Sequence, residues 1–537
     1  MVNSINNDLK EARRFESLGQ IEAAEQIYLK IVNLYSLCHE AYFNLALLNY
    51  QRSHFEQSYF YLKSAISIRK DIGIYHRNFC EISRRLGKFE ESINSGVEAS
   101  KLIPNDIDVH FNLGLAYLDI KDKAGIKLAF TNIIRLIESG LDLKKKSWEI
   151  FHFKGFSYHR LNLFFDAKNA FEEAIKLNPQ YADAYNSLGC VLRDMHHLKK
   201  ALDCFAKALL IRPSFDIARL NLGMMQLQLG YWKEGWINYE SRWTGSAESN
   251  TSKFLKPICP LPVWDISLNS QSKKILIFFE QGYGDMIQFS RYLILISQLF
   301  ESVTYLCLDP AMHTLLEYSF KNQAQLLKKY PNDFSEWDYH CNLLSLPKAF
   351  STEVDQIPDF IPYIRSSEER VTYWKKRLDE VSKSRLKIGI AWSGRPTHLY
   401  DHRRSLMLEQ ILPLISVNDV CWVSLQKNYN YQSSNDMSRY HWIDWSNELI
   451  DFSETAALVS NLDLVISVDS SMIHLSGALG KPTWMLNRYD SEWRWLYQKM
   501  DSPWYKSLRI FNQPCFGDWV SVIESAKNNL YALLESK

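Results

Sequence analysis

At 537 residues the chain is too long for one domain, and ordinary domain sizes predict about three. Its 62 basic and 61 acidic side chains nearly cancel, which argues against a basic face for nucleic acid. An apolar fraction of 46% argues against disorder, and no apolar run has the length of a membrane span. The polar start has no signal core, and the nine cysteines form no C-x-x-C pair. We expect a cytoplasmic protein with free thiols and no metal site.

Residues 1–243 contain a helical repeat with a period of about 34 residues. Small residues recur where two antiparallel helices must approach, large residues fill the space between them, and a proline follows the second helix. About seven copies begin near Asn6, His39, Gly73, Ile107, Trp148, Ala182 and Asp216. Such a solenoid presents a concave surface, usually to a protein or peptide. The alternative is a spacer or an oligomerisation arm.

Asparagines recur at matching positions in the first helix of several copies, namely Asn44, Asn112, Asn186 and Asn221. These repeats resemble the tetratricopeptide repeat family, and the resemblance implies that the first helix of each copy lines the concave groove. Asn112, Asn186 and Asn221 are therefore candidate ligands for the extended backbone of an acceptor, while capping or surface roles are the alternative. Beyond Trp243 the helical periodicity stops, and residues 244–272, first small and polar and then proline-rich, predict a linker.

The C-terminal half alternates strands with helices. A first series of predicted strands covers 274–279, 303–308 and 339–341, after which 358–363 leads into a charged helix at 368–378. A second series covers 387–392, 420–426, 464–468, 483–486 and 508–511, and an amphipathic helix follows at 519–534. This alternation predicts parallel sheets in two Rossmann-like lobes that face a cleft. We place the lobes at 273–366 and 386–515, with an inter-lobe helix at 367–385 and a C-terminal helix at 516–537.

A phosphate-binding turn is predicted where the strand at 464–468 ends. The strand is apolar and β-branched, and Asp469, Ser470 and Ser471 follow it as good N-cap residues for the next helix. Backbone N–H groups and the helix dipole both favour an anion at such a junction. The alternative is an ordinary strand–helix connection, of which every α/β protein has several.

The first strand of this half ends in a G-x-G-D motif. Gly282 and Gly284 allow a tight turn and a close approach to a ligand, and Asp285 opens the following helix. A helix N-terminus keeps such a carboxylate ionised, so Asp285 is a candidate general base. The alternative is a plain helix cap.

Two further clusters contain candidate binding residues. The loop 392–405, which includes Ser393, Arg395 and Arg404, has three arginines and two histidines, a composition typical of anion binding or of a solvated charged loop. The aromatic segments 493–496 and 504–505 offer rings for stacking a base or a sugar, with core packing as the alternative.

Three motifs in this order carry a resemblance: G-x-G-D, W-S-G-x-P-x-H-x-x-D-x-x-R-S from Trp392, and V-D-S-S-x-x-H-L-x-G-A-L-G-K-P from Val468. The chain resembles the GT-B glycosyltransferases, in particular the lipopolysaccharide heptosyltransferase-like family (family 9-like). The repeats resemble the tetratricopeptide repeat (TPR) family. The combination is similar to bacterial repeat-containing glycosyltransferases, some of which modify flagellin or other proteins, and more distantly to O-GlcNAc transferases.

The resemblance implies roles for individual residues. Asp285 matches the family's proposed base, and Arg404 matches the basic residue that faces the donor diphosphate. The phosphate-binding turn corresponds to Asp469, Ser470 and Ser471, and His474 lies one helical turn later on the same face. Hydroxyl and N–H groups of this turn would hold the leaving nucleoside diphosphate, with Gly282, Gly284, Ser393 and Arg395 as further donor-binding candidates.

The sequence thus predicts an α-helical TPR solenoid followed by an α/β GT-B region. The expected activity is inverting, metal-independent transfer from a nucleoside-diphosphate sugar to an acceptor hydroxyl, without a cofactor. The acceptor would be a protein or peptide recruited by the TPR groove. A first alternative is an inactive scaffold or binding protein, and a second is transfer to a lipid-linked glycan.

Overall fold

A computed structural model describes residues 2–140, 145–245, 256–395, 401–427, 437 and 440–536. The chain forms two compact units, Met1–Met195 and His196–Lys537. Within the described residues, no helix combines the length and the apolar character needed to cross a bilayer.

The first unit is a series of paired α-helices. They are α1 (Val2–Ser17), α2 (Ile21–Leu34), α3 (His39–Gln51), α4 (Phe55–Ile68), α5 (Gly73–Arg85), α6 (Phe89–Leu102), α7 (Ile107–Ile120), α8 (Lys123–Glu138), α9 (Ser147–Arg160), α10 (Phe164–Leu177) and α11 (Ala182–Asp194). Copies predicted from His39, Gly73 and Ile107 start at these residues because the repeat period is the period of the helix pair. Ala167 and Phe171 of α10 are fully buried, as the pattern of small and large residues predicts.

The second unit begins with four more helices, α12 (Leu198–Ile211), α13 (Asp216–Leu229), α14 (Trp232–Tyr239) and α15 (Arg242–Gly245). The predicted solenoid of helix pairs followed by an α/β region is confirmed. The predicted end of the repeats at residue 243 lies inside this unit, because the last repeat helices share a hydrophobic core with the α/β region. Part of the predicted linker belongs to that core as well, since Trp264 is buried against Phe300 and Phe350.

The first lobe contains a parallel sheet of order β3-β2-β1-β4. Its strands are β1 (Lys274–Phe278), β2 (Ser302–Leu306), β3 (Gln325–Leu327) and β4 (Tyr339–Asn342). Its helices are α16 (Tyr283–Phe289), α17 (Tyr292–Ile296), α18 (Pro310–Phe320) and α19 (Leu346–Ala349), and α20 (Glu368–Ser382) leads to the second lobe. Strand β1 is buried from Ile275 to Phe278, as its apolar run predicts.

The second lobe contains a parallel sheet of order β10-β9-β8-β5-β6-β7. Its strands are β5 (Leu386–Ala391), β6 (Val420–Ser424), β7 (Trp442–Ile443), β8 (Leu464–Val468), β9 (Thr483–Asn487) and β10 (Leu508–Asn512). Its helices are α21 (Asp401–Arg404), α22 (Leu408–Ile415), α23 (Phe452–Val459), α24 (Ser471–Ala478) and α25 (Trp519–Glu535). Helix α25 packs on this lobe through Trp519, Val522 and Leu530. Strands β5 and β8 pair directly, so their carboxyl ends open at one edge of the sheet.

Candidate functional site

The turn between β8 and α24 has the predicted strand–turn–helix form. Strand β8 is fully buried between β5 and β9. Ser470 is the N-cap of α24, where its side chain accepts a hydrogen bond from the Met472 N–H at 3.3 Å. The Ser467 and Ser470 hydroxyls share a hydrogen bond at 3.0 Å, and Asp469 and Ser471 are half-buried beside them. The first turn of α24 thereby presents N–H groups and hydroxyls at one point.

Arg404 lies against this turn, although 65 residues separate it from Asp469 in the chain. Its Nη1 donates to the backbone oxygen of Asp469 at 2.9 Å, and its Nε donates to Asp401 at 3.3 Å. The guanidinium packs on Gly394, where an added Cβ would lie 2.4 Å from Nη2, so a larger residue there would displace the guanidinium from its present position. The neighbouring strand ends thus bring a permanent cation to the head of α24.

Ser393 and Arg395 lie in the same loop as the glycine beneath Arg404. The Ser393 N–H donates to Gln426 Oε1 at 2.9 Å, which ties the loop to the end of β6. Arg395 is exposed and close enough to influence Tyr283, whose pKa is raised to about 12, first by burial and then by its hydrogen bond to Asp309. The remaining predicted loop residues 396–400 lie outside the described part of the chain.

Asp285 opens α16 and faces the second lobe. Its Oδ2 accepts a hydrogen bond from the Gly282 N–H at 2.9 Å. Asp285 therefore also caps the helix, which was the alternative role predicted from the sequence. Its Oδ1 accepts an ion-paired hydrogen bond from Arg494. The carboxylate is 19% exposed and therefore reachable.

The two glycines of the G-x-G-D motif do not form the tight turn that we predicted from them. Gly282 has φ −87°, which any residue adopts, and the left-handed position is Gln281 with φ 64°. Gly284 packs against α24, and a Cβ there would lie 2.6 Å from His474 Cδ2. The missing side chain therefore brings the N-terminus of α16 onto α24, within one turn of the predicted phosphate site.

His474 is buried on α24, one helical turn after the predicted phosphate-binding turn. It shares a hydrogen bond with the Tyr505 hydroxyl at 3.0 Å and stacks on Trp495 with the ring centres 5.4 Å apart. Burial and then the charges of Arg494 and Arg291 hold its pKa well below the ordinary value. The imidazole is therefore neutral near pH 7.

The aromatic segment around Trp493 forms part of the core, as the core-packing alternative predicted. Trp493, Trp495 and Trp504 are at most 3% exposed. Aromatic side chains of the last repeat helices and of both lobes pack against them, so these rings belong to the core.

Three polar residues between the lobes were missed from the sequence, namely Arg494, Glu492 and Gln288. Arg494 Nε donates to Gln288 Oε1 at 2.7 Å, and its two terminal nitrogens donate to Asp285 and Glu492. Burial lowers the pKa of Arg494, but the carboxylates of Glu492 and Asp285 raise it more. The signal was an arginine between two tryptophans, because a charge within an apolar segment needs a buried partner.

The candidate acceptor asparagines are half-buried on the first helices of their pairs. Asn112 and Asn186 belong to the first unit and Asn221 to the second. The Asn112 side chain donates to the Arg77 backbone oxygen at 3.4 Å. Their predicted contact with an acceptor remains a prediction.

Comparisons with known proteins find matches both in the repeats and in the second lobe. Tetratricopeptide repeat families match residues 149–181 and 170–203, and glycosyltransferase family 9 (heptosyltransferase) matches residues 449–516. The latter segment includes the predicted phosphate-binding turn, His474 and Arg494. Protein FlbA of Caulobacter vibrioides is 24% identical over 372 residues, which are 65% of this chain and 61% of FlbA. The chain thus spans less than two thirds of that relative's length.

Other similarities fall on the repeats. The peroxisomal targeting signal receptor of Candida albicans is 35% identical over 66 residues, 12% of this chain and 11% of the receptor. Among solved structures, a tetratricopeptide repeat protein of Parabacteroides merdae has a TM-score of 0.39 at 15% identity, covering 46% of this chain and 95% of its own. The tetratricopeptide protein YrrB has a TM-score of 0.27 at 18% identity, covering 36% and 95%. The chain thus joins tetratricopeptide repeats to a segment similar to the glycosyltransferases of family 9.

Proposed function

We propose that the protein is an inverting, metal-independent glycosyltransferase that uses a nucleoside-diphosphate sugar and needs no cofactor. The observation that carries the proposal is the contact of Gly284 with His474, which brings Asp285 of one lobe to the helix whose head holds Arg404. The Asp285 carboxylate and the anion site that we propose at the head of α24 thus belong to helices in direct contact. Such a pair suits an acceptor hydroxyl on one side and a departing diphosphate on the other.

The reaction needs a single displacement. Asp285 would take the proton of the acceptor hydroxyl while its oxygen attacks the anomeric carbon. The bond from that carbon to the diphosphate oxygen breaks, and the electron pair leaves with the diphosphate. Attack opposite the leaving group inverts the anomeric centre. Arg404 and the N–H and hydroxyl groups of Ser470 and Ser471 would stabilise the charge that develops.

The leaving diphosphate is neutralised by the protein itself in this proposal. Arg404 is half-buried at the head of α24, and Arg395 is exposed in the adjoining loop. Two guanidiniums and a helix N-terminus supply the positive charge that a divalent metal ion provides elsewhere. Turnover should therefore persist in EDTA.

The repeats would recruit the acceptor, which we propose to be a protein. Helix pairs of this family stack into a surface suited to an extended peptide, and Asn112 and Asn186 lie half-buried on first helices of the first unit. We place the reaction in the cytoplasm, in keeping with nine free cysteines among the described residues.

One observation favours a second candidate, the inactive scaffold. Both carboxylate oxygens of Asp285 already accept hydrogen bonds, from Gly282 and from Arg494. Each oxygen retains a further lone pair, so this pairing leaves room for a substrate proton. Replacing Asp285 with Asn separates the two candidates, because only an enzyme would lose turnover while its nucleotide affinity is kept.

Thermal unfolding with UDP, GDP, ADP and their sugars tests the donor site. A ligand at about a hundred times its Kd stabilises the folded state by about 2.7 kcal/mol, which raises the midpoint measurably. We expect one nucleotide to shift the midpoint in the wild type and much less in Arg404→Ala. Arg509→Ala, an exposed arginine on β10, is the matched control. If no nucleotide shifts the wild type, the donor site is refuted.

A further inference from the structure

Arg494 joins the two lobes at the proposed base. It lies in the short turn Trp493–Trp495 between β9 and β10, and its side chain is 9% exposed. Its two partners on the first lobe, Asp285 and Gln288, are three residues apart on α16 and therefore share one face of that helix. A single planar guanidinium thus fixes the orientation of both side chains.

Hydrogen bonds leave the Asp285 carboxylate little rotational freedom. The Gly282 N–H binds Oδ2 at 2.9 Å, and Arg494 Nη2 binds Oδ1. Because the two donors reach different oxygens, the plane of the carboxylate is set. The lone pairs that remain point away from both donors, and one of them must receive the acceptor proton.

Glu492 shares the Arg494 guanidinium with Asp285, each carboxylate binding a different terminal nitrogen. Its Oε1 accepts from Arg494 Nη1 at 2.5 Å, and its Oε2 accepts from the Arg494 N–H at 2.9 Å. Burial raises the pKa of Glu492 to about 7, with Arg494 opposing and Asp469 and Asp285 adding to the rise. Three further groups influence the pair of Glu492 and Arg494. They are Asp285 on α16, Asp469 in the turn before α24 and Tyr239 on α14.

The last repeat holds the segment that carries Arg494. Trp493 packs edge-on against Trp236 and Tyr239 of α14, with ring centres 5.4 and 5.6 Å apart. The Arg494 guanidinium lies over the Trp493 ring, 4.3 Å from its centre. Trp236 Nε1 also donates to the Thr352 backbone oxygen at 3.0 Å. Helix α14 therefore packs against Trp493, the residue on which the Arg494 guanidinium rests.

We propose that Arg494 is a positioning residue that orients Asp285 toward the acceptor hydroxyl, and that the last repeat contributes to the catalytic unit by holding Arg494 in place. This inference rests on the proposed glycosyl transfer. It gives the last repeat helices a task at the reacting centre that is separate from the recruitment of an acceptor.

The test compares Arg494→Gln and Arg494→Lys with the wild type by kcat, KM for the donor sugar, and Kd for the nucleoside diphosphate. We expect Arg494→Gln to lower kcat about 100-fold, the cost of a misplaced catalytic group, while the Kd changes less than about twofold. Arg494→Lys should recover about tenfold, because an ammonium can reach Asp285 but cannot also hold Gln288. Arg370→Gln is the control, since Arg370 of α20 forms a paired contact with Glu454 of α23 that does not involve Asp285.

Two outcomes would contradict the positioning role of Arg494. A kcat for Arg494→Gln within about threefold of the wild type, or an equal loss in Kd, would overturn the positioning role. Failure of the proposed function itself looks different, because Asp285→Asn would then keep its kcat or no nucleotide would bind.

Glu492→Gln covers the case in which the Arg494 variants do not fold. With Glu492 titrating near pH 7, the pH profile of kcat should show an inflection there that this variant lacks. An unchanged inflection would contradict the sharing of Arg494 between the two carboxylates, and with it the proposal.

Discussion

The pair Arg242–Glu280 allows a quantitative test of how the repeat helices support the site. Arg242 of α15 binds both carboxylate oxygens of Glu280, at 3.0 and 2.8 Å, and the two side chains are only 3% and 5% exposed. Glu280 directly precedes the turn that leads to Asp285. Burial raises the pKa of Glu280 even with Arg242 beside it, so its ionised form depends on the arginine.

We expect Arg242→Met to destabilise the second unit by about 3–5 kcal/mol at pH 7, because a buried carboxylate is left without its counter-charge. The Leu344 N–H, 3.0 Å from Glu280 Oε1, offsets only part of this loss. Urea unfolding followed by tryptophan fluorescence measures it. Of 16 tryptophans only Trp148 precedes residue 196, so the signal reports almost entirely on the second unit.

The double variant Arg242→Met/Glu280→Gln is the control, since it removes the buried charge together with its partner. It should recover at least half of the lost stability. Lowering the pH toward 5 should also reduce the deficit of the single variant, because protonation neutralises Glu280. A single variant within about 1 kcal/mol of the wild type, or a double variant as unstable as the single, would refute the reasoning.

Three further predictions concern the cleft and the repeats. Gly284→Ala should lower the free energy of unfolding by about 1–3 kcal/mol and slow turnover, because the new Cβ would displace His474. An unchanged melting midpoint would contradict this close contact. The raised pKa of Glu492 stabilises the folded state below pH 4.5 and loses that contribution as the pH rises through about 7. The wild type should therefore lose about 2–3 kcal/mol more stability between pH 5 and 8 than Glu492→Gln, as urea titrations at both pH values would show. Removing residues 1–195 should abolish transfer to a protein acceptor while nucleotide binding is kept; equal transfer by the fragment would exclude recruitment by the first unit.

Most of the fold followed from local patterns. Strand β8 occupies the predicted residues 464–468, because a strand buried on both faces must be apolar throughout. Strands β3 and β7 were missed, since three and two residues at sheet edges are too short to show a pattern. The end of the repeats was harder to place, because the helices that follow residue 196 keep the repeat pattern while they pack against the lobes.

The site was predictable only where its parts are local. The turn at Ser470 is encoded in adjacent residues, and its strand–turn–helix form is confirmed. Arg494 lies 209 residues from Asp285 in the chain, so their contact depends on the packing of two lobes that no local pattern encodes. The sequence left two interpretations open for the tryptophans around Arg494, because an aromatic run looks alike in a core and in a binding cleft. The structure places them in the core. The distant similarity to O-GlcNAc transferases remains a prediction.

The central claim is that Asp285 catalyses sugar transfer from a bound nucleotide sugar. The most direct measurement is the release of nucleoside diphosphate from the donor that stabilises the protein, with cell extract as the source of acceptors, by the wild type and by Asp285→Asn. The account predicts that the variant binds the nucleotide as the wild type does but releases diphosphate at least about 100-fold more slowly, the usual contribution of a general base. Equal release by the two proteins, or none by the wild type with a donor that it binds, would contradict the claim.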